Sequence, residues 1–537
     1  MKKIIEKYYQ PVIIFVLTLT IASIFSVIGV DPYHQGVMFK SAFDVAHGQM
    51  LFRDTFTPFG ALTTLLQAWA LRIFGDYVMV IQIETAFFYG LISVCLYYLW
   101  LNILPRWLTA ISVVIWLFLA PYFMMTFLPW SSVYALFFQL LSLLLVLCAL
   151  REQNRLMIML AGGVAVLAFW CRQPVGICHC ASLVIFLATT PLLTGQQWKN
   201  AMKDCAFFLA GIVAASVPFF VWLALNGAIH DMYLQSIKTA FFFGTKEWNM
   251  PDQSTNLFMK ILRALIVTNR TDNSLLWTLL PLVCLSLLAI LALKKWYNRG
   301  SVYNCLPLYG LLLVSLASWH QYFPVTCIRH CYWAATPMIG VFSYGTWQLC
   351  KRCIAEKKGM QILIVCLILA SVFGFDTGKR IAAGLKKITY TYTKIEEPKV
   401  LRGMYVLPYQ AITYQAINTS LNNTDKRNSF PYLVNLSGDS LYLTFIGPQY
   451  NWSPLYTPLY FPSETLLYKY IYPGYKNRLN EFINTKHPIV LGHEGINIPG
   501  WTCVEIFNAL DTSKLFKVPP LYARLALYRF TGNNETP

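Results

Sequence analysis

PVIIFVLTLTIASIFSVIGVDPYHQG, residues 11–36, decides the class of this protein. The run from Pro11 to Val30 carries no charge and is long enough for the ~30 Å hydrocarbon core of a bilayer. It stops on Asp31, followed by Pro32, Tyr33, His34 and Gln35. A carboxylate is costly to hold at a membrane edge, so its presence there directs attention to the loop it opens. Lys2, Lys3 and Lys7 precede the run, which is long and lacks a convincing small-residue cleavage site; the expectation is a retained first span.

The rest of the chain agrees. It is 57% hydrophobic, 16% aromatic and 12% charged, with a mean hydropathy of +0.50. Soluble domains carry about a quarter charged residues. The expected fold class is a polytopic α-helical membrane protein with about eleven transmembrane helices, followed by a C-terminal α/β domain. The spans begin near Pro11, Tyr77, Leu108, Ser131, Leu156, Val175, Cys205, Ser274, Val302, Cys331 and Gly359. Arg106, Arg151, Arg155, Lys199, Lys203, Lys294, Lys295, Arg299, Lys351, Arg352, Lys357 and Lys358 then fall in alternate loops, which makes that side cytoplasmic. Residues 1–376 form the transmembrane domain, with a first outer loop at 31–76 and further outer loops at 226–273 and 319–331. Residues 377–537 lie outside the membrane.

The first outer loop reads as two helices. Asp31 is the expected N-cap of a helix beginning at Pro32, and Gly48 its stop. A second helix after Thr57-Pro58 turns Leu62, Leu65, Leu66 and Trp69 to the membrane. In the tail, strand-like runs at 404–407, 432–434, 488–491 and 525–530 alternate with helical ones at 410–421 and 475–484, the pattern of a small α/β domain. N-x-S/T triplets begin at Asn269, Asn418, Asn422, Asn435 and Asn451, a weak signal alone. Cys327 and Cys331 share an outer loop and are close enough in sequence to pair, but the scattered cysteines support no disulfide framework.

Asp31-Pro32-Tyr33-His34, then Leu51-Phe52-Arg53-Asp54 and the apolar stretch from Ala61 to Phe74, resemble in order and spacing the first extracytoplasmic loop of the GT-C glycosyltransferases. These enzymes, protein mannosyltransferases and aminoarabinose transferases among them, use lipid-phosphate sugars as donors. The likeness covers roughly residues 31–75. It implies that Asp31 is the catalytic base and that Asp54 is a second acidic residue of the site, with His34 and Arg53 placing the acceptor. Two further loops resemble the same superfamily: Arg172-Gln173 before the span at Val175, and Arg329-His330 after the aromatic-proline turn at Tyr322 to Pro324. Both pairs lie at the depth of a carrier phosphate, and arginine binds phosphate oxygens in bidentate fashion. Each residue also has a plainer role. Asp31 caps a helix, Asp54 pairs with Arg53, and interfacial arginines snorkel to headgroups.

The expected activity is therefore an inverting glycosyltransferase, moving a sugar from a polyprenyl-phosphate donor, undecaprenyl phosphate in a bacterial inner membrane, to a glycan, lipid or protein acceptor on the periplasmic side. A polymerase or ligase acting on lipid-diphosphate glycans and a lipid-glycan flippase share the topology and stay open. No Walker A sequence, nucleophile elbow or Rossmann fingerprint occurs. No cofactor is expected. Asp31, His34, Asp44 and His47 have spacing that leaves a divalent metal conceivable. Partners are the lipid-linked donor, the acceptor and membrane lipids; nucleic acid is not expected despite a net charge of +18.

Overall fold

The computed structural model describes residues 2–57, 60–245, 275–298, 305–323, 327–356, 359–361, 370–425, 433–447, 469–507 and 524–531. Among these residues, six helices are long and apolar enough to cross a membrane: Tyr9–Ser26, Val78–Leu101, Ser131–Glu152, Gln173–Thr194, Trp198–Leu225 and Leu276–Lys295. The count of eleven is not confirmed. Four more of the expected spans are helices of other kinds. Arg106–Phe118, Arg155–Cys171 and Leu306–Ser318 are short, and Ile328–Ala355 carries Arg329, His330, Lys351 and Arg352. The span expected from Gly359 falls largely outside the described residues.

The loops that charge assigned to one side do meet at one end of the bundle. Arg151 donates to Asn102 Oδ1 at 2.8 Å, and Arg155 to Asp204 Oδ1 at 3.0 Å and Asn200 Oδ1 at 3.2 Å. Those contacts join the ends of four helices, as the alternation of charge required.

At the other end, the first outer loop forms the helices His34–Ala46 and Ala61–Phe74. Gly48 follows the first at φ 93°, a left-handed stop that a side chain resists. Arg72 on the second helix donates to the carbonyls of Val45 and Ala46, where the helix dipole is negative. The second helix is inside-out by soluble standards. Thr63, Thr64 and Gln67 are buried, and Trp69, Ile73 and Phe74 are exposed. Of the four residues expected to face the membrane only Trp69 does so; Leu62, Leu65 and Leu66 are partly buried, packed against the core, and the exposed apolar face is carried by Trp69, Ile73 and Phe74 instead.

The tail folds back onto this loop. After the helix Phe375–Ile388, β1 (Thr393–Lys394) pairs with β2 (Tyr405–Val406), and Tyr405 bonds Val27 and Gly29 at the end of the first span. A second sheet has the order β3-β4-β6-β5, with β3 (Leu433–Asn435) parallel to β4 (Ile489–His493) and the other pairings antiparallel. Its β6 is Leu525–Phe530. The helices Pro408–Asp425 and Tyr475–Lys486 complete a small α/β unit. The edge strand β5, Trp501–Phe507, is absent from the sequence reading; it is mostly exposed, and a register shift between Cys503 and Glu505 breaks its alternation. Gly36 marks the junction, because a Cβ there would meet the Leu441 backbone nitrogen at 2.5 Å. The tail is thus seated on the helix that Asp31 opens.

Candidate active site

Asp31 caps its helix as expected, one turn upstream of the first fully helical residue. Oδ1 accepts the His34 backbone N–H at 2.9 Å, and the Asp31 N–H donates to Gln35 Oε1 at 3.1 Å, a reciprocal capping arrangement. Oδ2 lies 2.8 Å from His34 Nδ1, and the carboxylate is 14% exposed. Gln35 Nε2 donates to the Phe127 carbonyl at 2.9 Å, which fixes the turn against the loop before Ser131. Burial alone would raise the acid's pKa. The charge and hydrogen bond of His34, the field of Arg329 and the His34 N–H overcome burial and hold it at about 2. Asp31 is a carboxylate throughout the physiological range.

Cations gather around Arg329, whose field reaches Asp31. Arg329 donates from Nη2 to the Thr126 carbonyl at 3.1 Å and sits within electrostatic reach of Asp31 without bonding it. Lys387, on the helix Phe375–Ile388, donates to the carbonyls of Tyr122 at 3.2 Å and Met125 at 2.8 Å. Burial, assisted by the Arg329 charge, lowers Lys387 to about 7. Arg172 lies at the break between Arg155–Cys171 and Gln173–Thr194, with Nη1 buried and unbonded among the described residues. It shares Cys327 as a neighbour with Arg329. Gln173 is buried beside it, and the His330 ring lies 5.9 Å from that of Trp333. Cys327 and Cys331 are both free thiols, so the possible disulfide is not formed.

The tail supplies a second acid. Asn435 Oδ1 accepts from the N–H of Ser437 at 2.9 Å and from its hydroxyl at 2.6 Å, while Nδ2 donates to the Asp439 carbonyl at 2.9 Å. This turn holds Asp439 toward Asp31, with Tyr414 and Tyr442 beside it. Both phenol oxygens are buried and unbonded among the described residues. Burial, with the negative field of Asp31, pushes the Asp439 carboxyl up to about 8. Asn435 itself is fully buried and spends its amide within the turn, so this N-x-S triplet is structural.

Asp54 lies elsewhere. It makes a two-point pair with Arg53 (2.8 and 2.9 Å), accepts the Met50 N–H at 2.8 Å, and has Asp231 as its other acidic neighbour. The hydrogen bond from Arg53 is the main influence holding its pKa low. Arg53 Nη1 also donates to the Asn226 carbonyl at 3.0 Å. Among the described residues no hydrogen bond or ion pair joins this pair to Asp31. Gln235 ties the region together, accepting from Thr57 N–H and donating to the Phe52 carbonyl and Tyr472 hydroxyl. The rest of the second outer loop beyond Thr245, including its basic amphipathic piece, lies outside the described residues.

The residues that suggested a metal are otherwise engaged. Asp44 pairs with Lys40 and accepts from Thr55, and His47 lies 3.3 Å from Asp76. Among the described residues no three His, Cys, Asp or Glu side chains converge. Sequence reasoning missed Asp439 and Lys387. For Asp439 a signal existed, the Asn435-Leu436-Ser437-Gly438-Asp439 turn signature after a strand, but nothing local tied it to Asp31.

The fold has known counterparts. The crystal structure of the Archaeoglobus fulgidus oligosaccharyltransferase in the apo form matches 91% of this chain and 70% of its own, with a TM-score of 0.53 and 13% identity. The same enzyme tethered with an acceptor peptide containing the NVT sequon matches with a TM-score of 0.53 at 14% identity, over 91% and 69% of the two chains. Its complex with an inhibitory peptide and a dolichol-phosphate matches with a TM-score of 0.50 at 12% identity, over 91% and 70%. No protein-family model matches the chain, and no curated protein does. The likeness is to the architecture of this oligosaccharyltransferase, and at this identity it speaks for the fold alone.

Proposed function

We propose that this chain is an inverting glycosyltransferase that moves a sugar from a polyprenyl-phosphate carrier to an acceptor hydroxyl at the outer surface of the membrane. The observation that carries this reading is the set of charges met at Asp31: an ionised carboxylate at the mouth of the first span, Arg329 within reach of it, Lys387 and Arg172 in the surroundings of Arg329, and an uncharged acid, Asp439, within the field of Asp31. Solved relatives in fold that hold a dolichol-phosphate and an acceptor peptide favour a lipid-linked donor.

In this mechanism the acceptor oxygen attacks the anomeric carbon as the bond to the carrier phosphate breaks. Asp31 takes the hydroxyl proton, and the carrier phosphate leaves with both electrons of the broken bond. Arg329 and Arg172 stabilise the charge that grows on the leaving phosphate. A carboxylate held near pH 2 is a weak base until the donor binds. The phosphate then offsets the positive field of Arg329, one of the forces that keep Asp31 acidic, and its affinity for a proton rises. Asp439, neutral below about pH 8, donates a hydrogen bond to the acceptor. Asp54 and Arg53 shape the loop rather than react, since their charges satisfy each other.

The carrier is undecaprenyl phosphate and the site faces the periplasm if the chain sits in a bacterial inner membrane with its basic loops inside. Proteoliposomes containing the purified protein and radiolabelled undecaprenyl-phosphate hexoses test the reading. It predicts release of undecaprenyl phosphate and a product of inverted anomeric configuration. A product of retained configuration, or turnover only with a lipid-diphosphate glycan, overturns it.

A further inference from the structure

A second polar cluster lies within the bundle, beneath the Asp31 loop, and the proposed reaction leaves it unused. Glu84, Thr85 and Gln82 come from Val78–Leu101, Thr63 and Gln67 from Ala61–Phe74, and Ser131 and Tyr134 from Ser131–Glu152. Tyr134 is its hub. Gln67 Nε2 donates to the Tyr134 oxygen at 3.2 Å, Thr85 Oγ1 lies 2.9 Å from it, and the Glu84 carboxyl meets it. Thr63, one turn before Gln67, lies beside the Cys171 thiol, which also feels Glu84. Glu84 is the seventh residue of its helix, about 9 Å below the outer end. An ionisable group at that depth calls for a function.

The polar atoms of the cluster exceed their partners. Thr63 Oγ1, Gln67 Oε1, both amide atoms of Gln82, Glu84 Oε2 and Ser131 Oγ are buried without a hydrogen-bond partner among the described residues. Thr63, Gln67, Gln82 and Ser131 are 0% exposed. Buried polar groups are ordinarily satisfied, so these point to a ligand that brings its own donors and acceptors. The chemistry narrows the choice. The cluster contributes no lysine or arginine to hold a phosphate. Amides, hydroxyls and a carboxyl, each able to accept and most able to donate, suit the adjacent hydroxyls of a sugar ring.

Position narrows it further. Segment 127–130 is a wall common to this cluster and the active site. Gln35 bonds the Phe127 carbonyl from one side, Gln67 bonds the Pro129 carbonyl from the other at 2.9 Å, and the Trp130 ring lies 5.7 Å from that of His34. Ile83 and Phe87, the neighbours of Glu84 along the helix, are exposed, which puts the cluster at the lipid-facing edge of the bundle. We infer that this cluster is the donor-sugar subsite, binding the hydroxyl groups of the carrier-linked sugar while the arginines bind its phosphate. The inference rests on the lipid-phosphate-sugar reading above.

The test compares bare undecaprenyl phosphate with undecaprenyl-phosphate glucose, mannose and aminoarabinose, each titrated into the full-length protein in nanodiscs. The wild type is expected to bind one glycosylated carrier at least tenfold more tightly than the bare carrier. Glu84→Ala and the volume-conserving Thr63→Val should erase most of that difference and leave bare-carrier binding unchanged, whereas Arg329→Ala should weaken both lipids. Variants that keep the full preference, or that lose affinity for both lipids alike, overturn the subsite even if Thr63→Val alone is well folded. A wild type that binds none of the lipids overturns the lipid-phosphate reading, and the subsite with it.

Discussion

Asp31 and Asp439 are the same side chain in neighbouring places with opposite fates. Asp31 ends a transmembrane span and finds a histidine, a helix N-terminus and a nearby arginine, which together hold it at about 2. Asp439 arrives from the folded tail, meets two phenols and the charge of Asp31, and is pushed to about 8. Burial alone does not distinguish them; both are desolvated. The partners decide, and the result is a base that is always ionised facing an acid that stays neutral at physiological pH. Two carboxyls whose environments drive them apart are a common way for one site to accept one proton and donate another hydrogen bond.

The comparison breaks most sharply at Asp31. Asp31→Asn keeps the cap but cannot accept a proton, so the purified variant should retain donor binding and lose transfer by about 10²-fold or more. Arg329→Ala removes a charged contact to the leaving phosphate worth about 1.5–3 kcal/mol, which weakens donor binding by roughly tenfold or more in a lipid-binding assay. Asp439→Asn keeps a donor in place of the neutral acid, so at pH 7 transfer should fall only severalfold, seen mainly in acceptor KM. Asp54→Asn should cost least, because Arg53 and Asp54 are a solvent-screened pair away from Asp31, and such pairs contribute little.

The pH dependence sharpens the same contrast. Asp439 has a folded value above the ordinary 3.8, so its contribution to stability is complete below about pH 4 and is lost as pH rises through about 8. Asp31 has a depressed value, so its contribution is present above about pH 4 and lost as pH falls toward 2. The contribution of Asp439 should therefore make wild-type thermal melts decline between about pH 4 and 8, and Asp439→Asn should flatten that decline while leaving the acid limb intact.

Much of this was legible in the residues themselves. Hydropathy located the helices, and the Asp-Pro junction after Val30 located the carboxylate that caps the first loop helix. Strand signals at 432–434, 488–491 and 525–530 located β3, β4 and β6 of the tail sheet to within two residues. Span number was less legible, because an apolar run such as that after Arg106 forms a helix too short to cross, and Ile328–Ala355 mixes charge with apolar residues. The pairing of acids was not legible at all. Loop proximity in sequence suggested Asp54 as the companion of Asp31, yet Asp54 is claimed by its own neighbour Arg53. Asp439, whose carboxyl lies within the field of Asp31, comes from a turn in the tail, seated by the close approach of Gly36 to Leu441. A contact between residues so distant along the chain leaves no local pattern.

The central claim is that the site divides its two carboxyls into a permanent carboxylate and a neutral acid, and infrared difference spectroscopy of the carboxylic-acid C=O stretch reads that division directly. In a Glu84→Gln background, which removes the other buried carboxyl, the expected spectrum has a protonated-carboxyl band at pH 6.5 that titrates away near pH 8, disappears when Asp439→Asn is added and persists when Asp31→Asn is added. A band that survives in Asp439→Asn and vanishes in Asp31→Asn would contradict it, since the acid and the base would then have exchanged places.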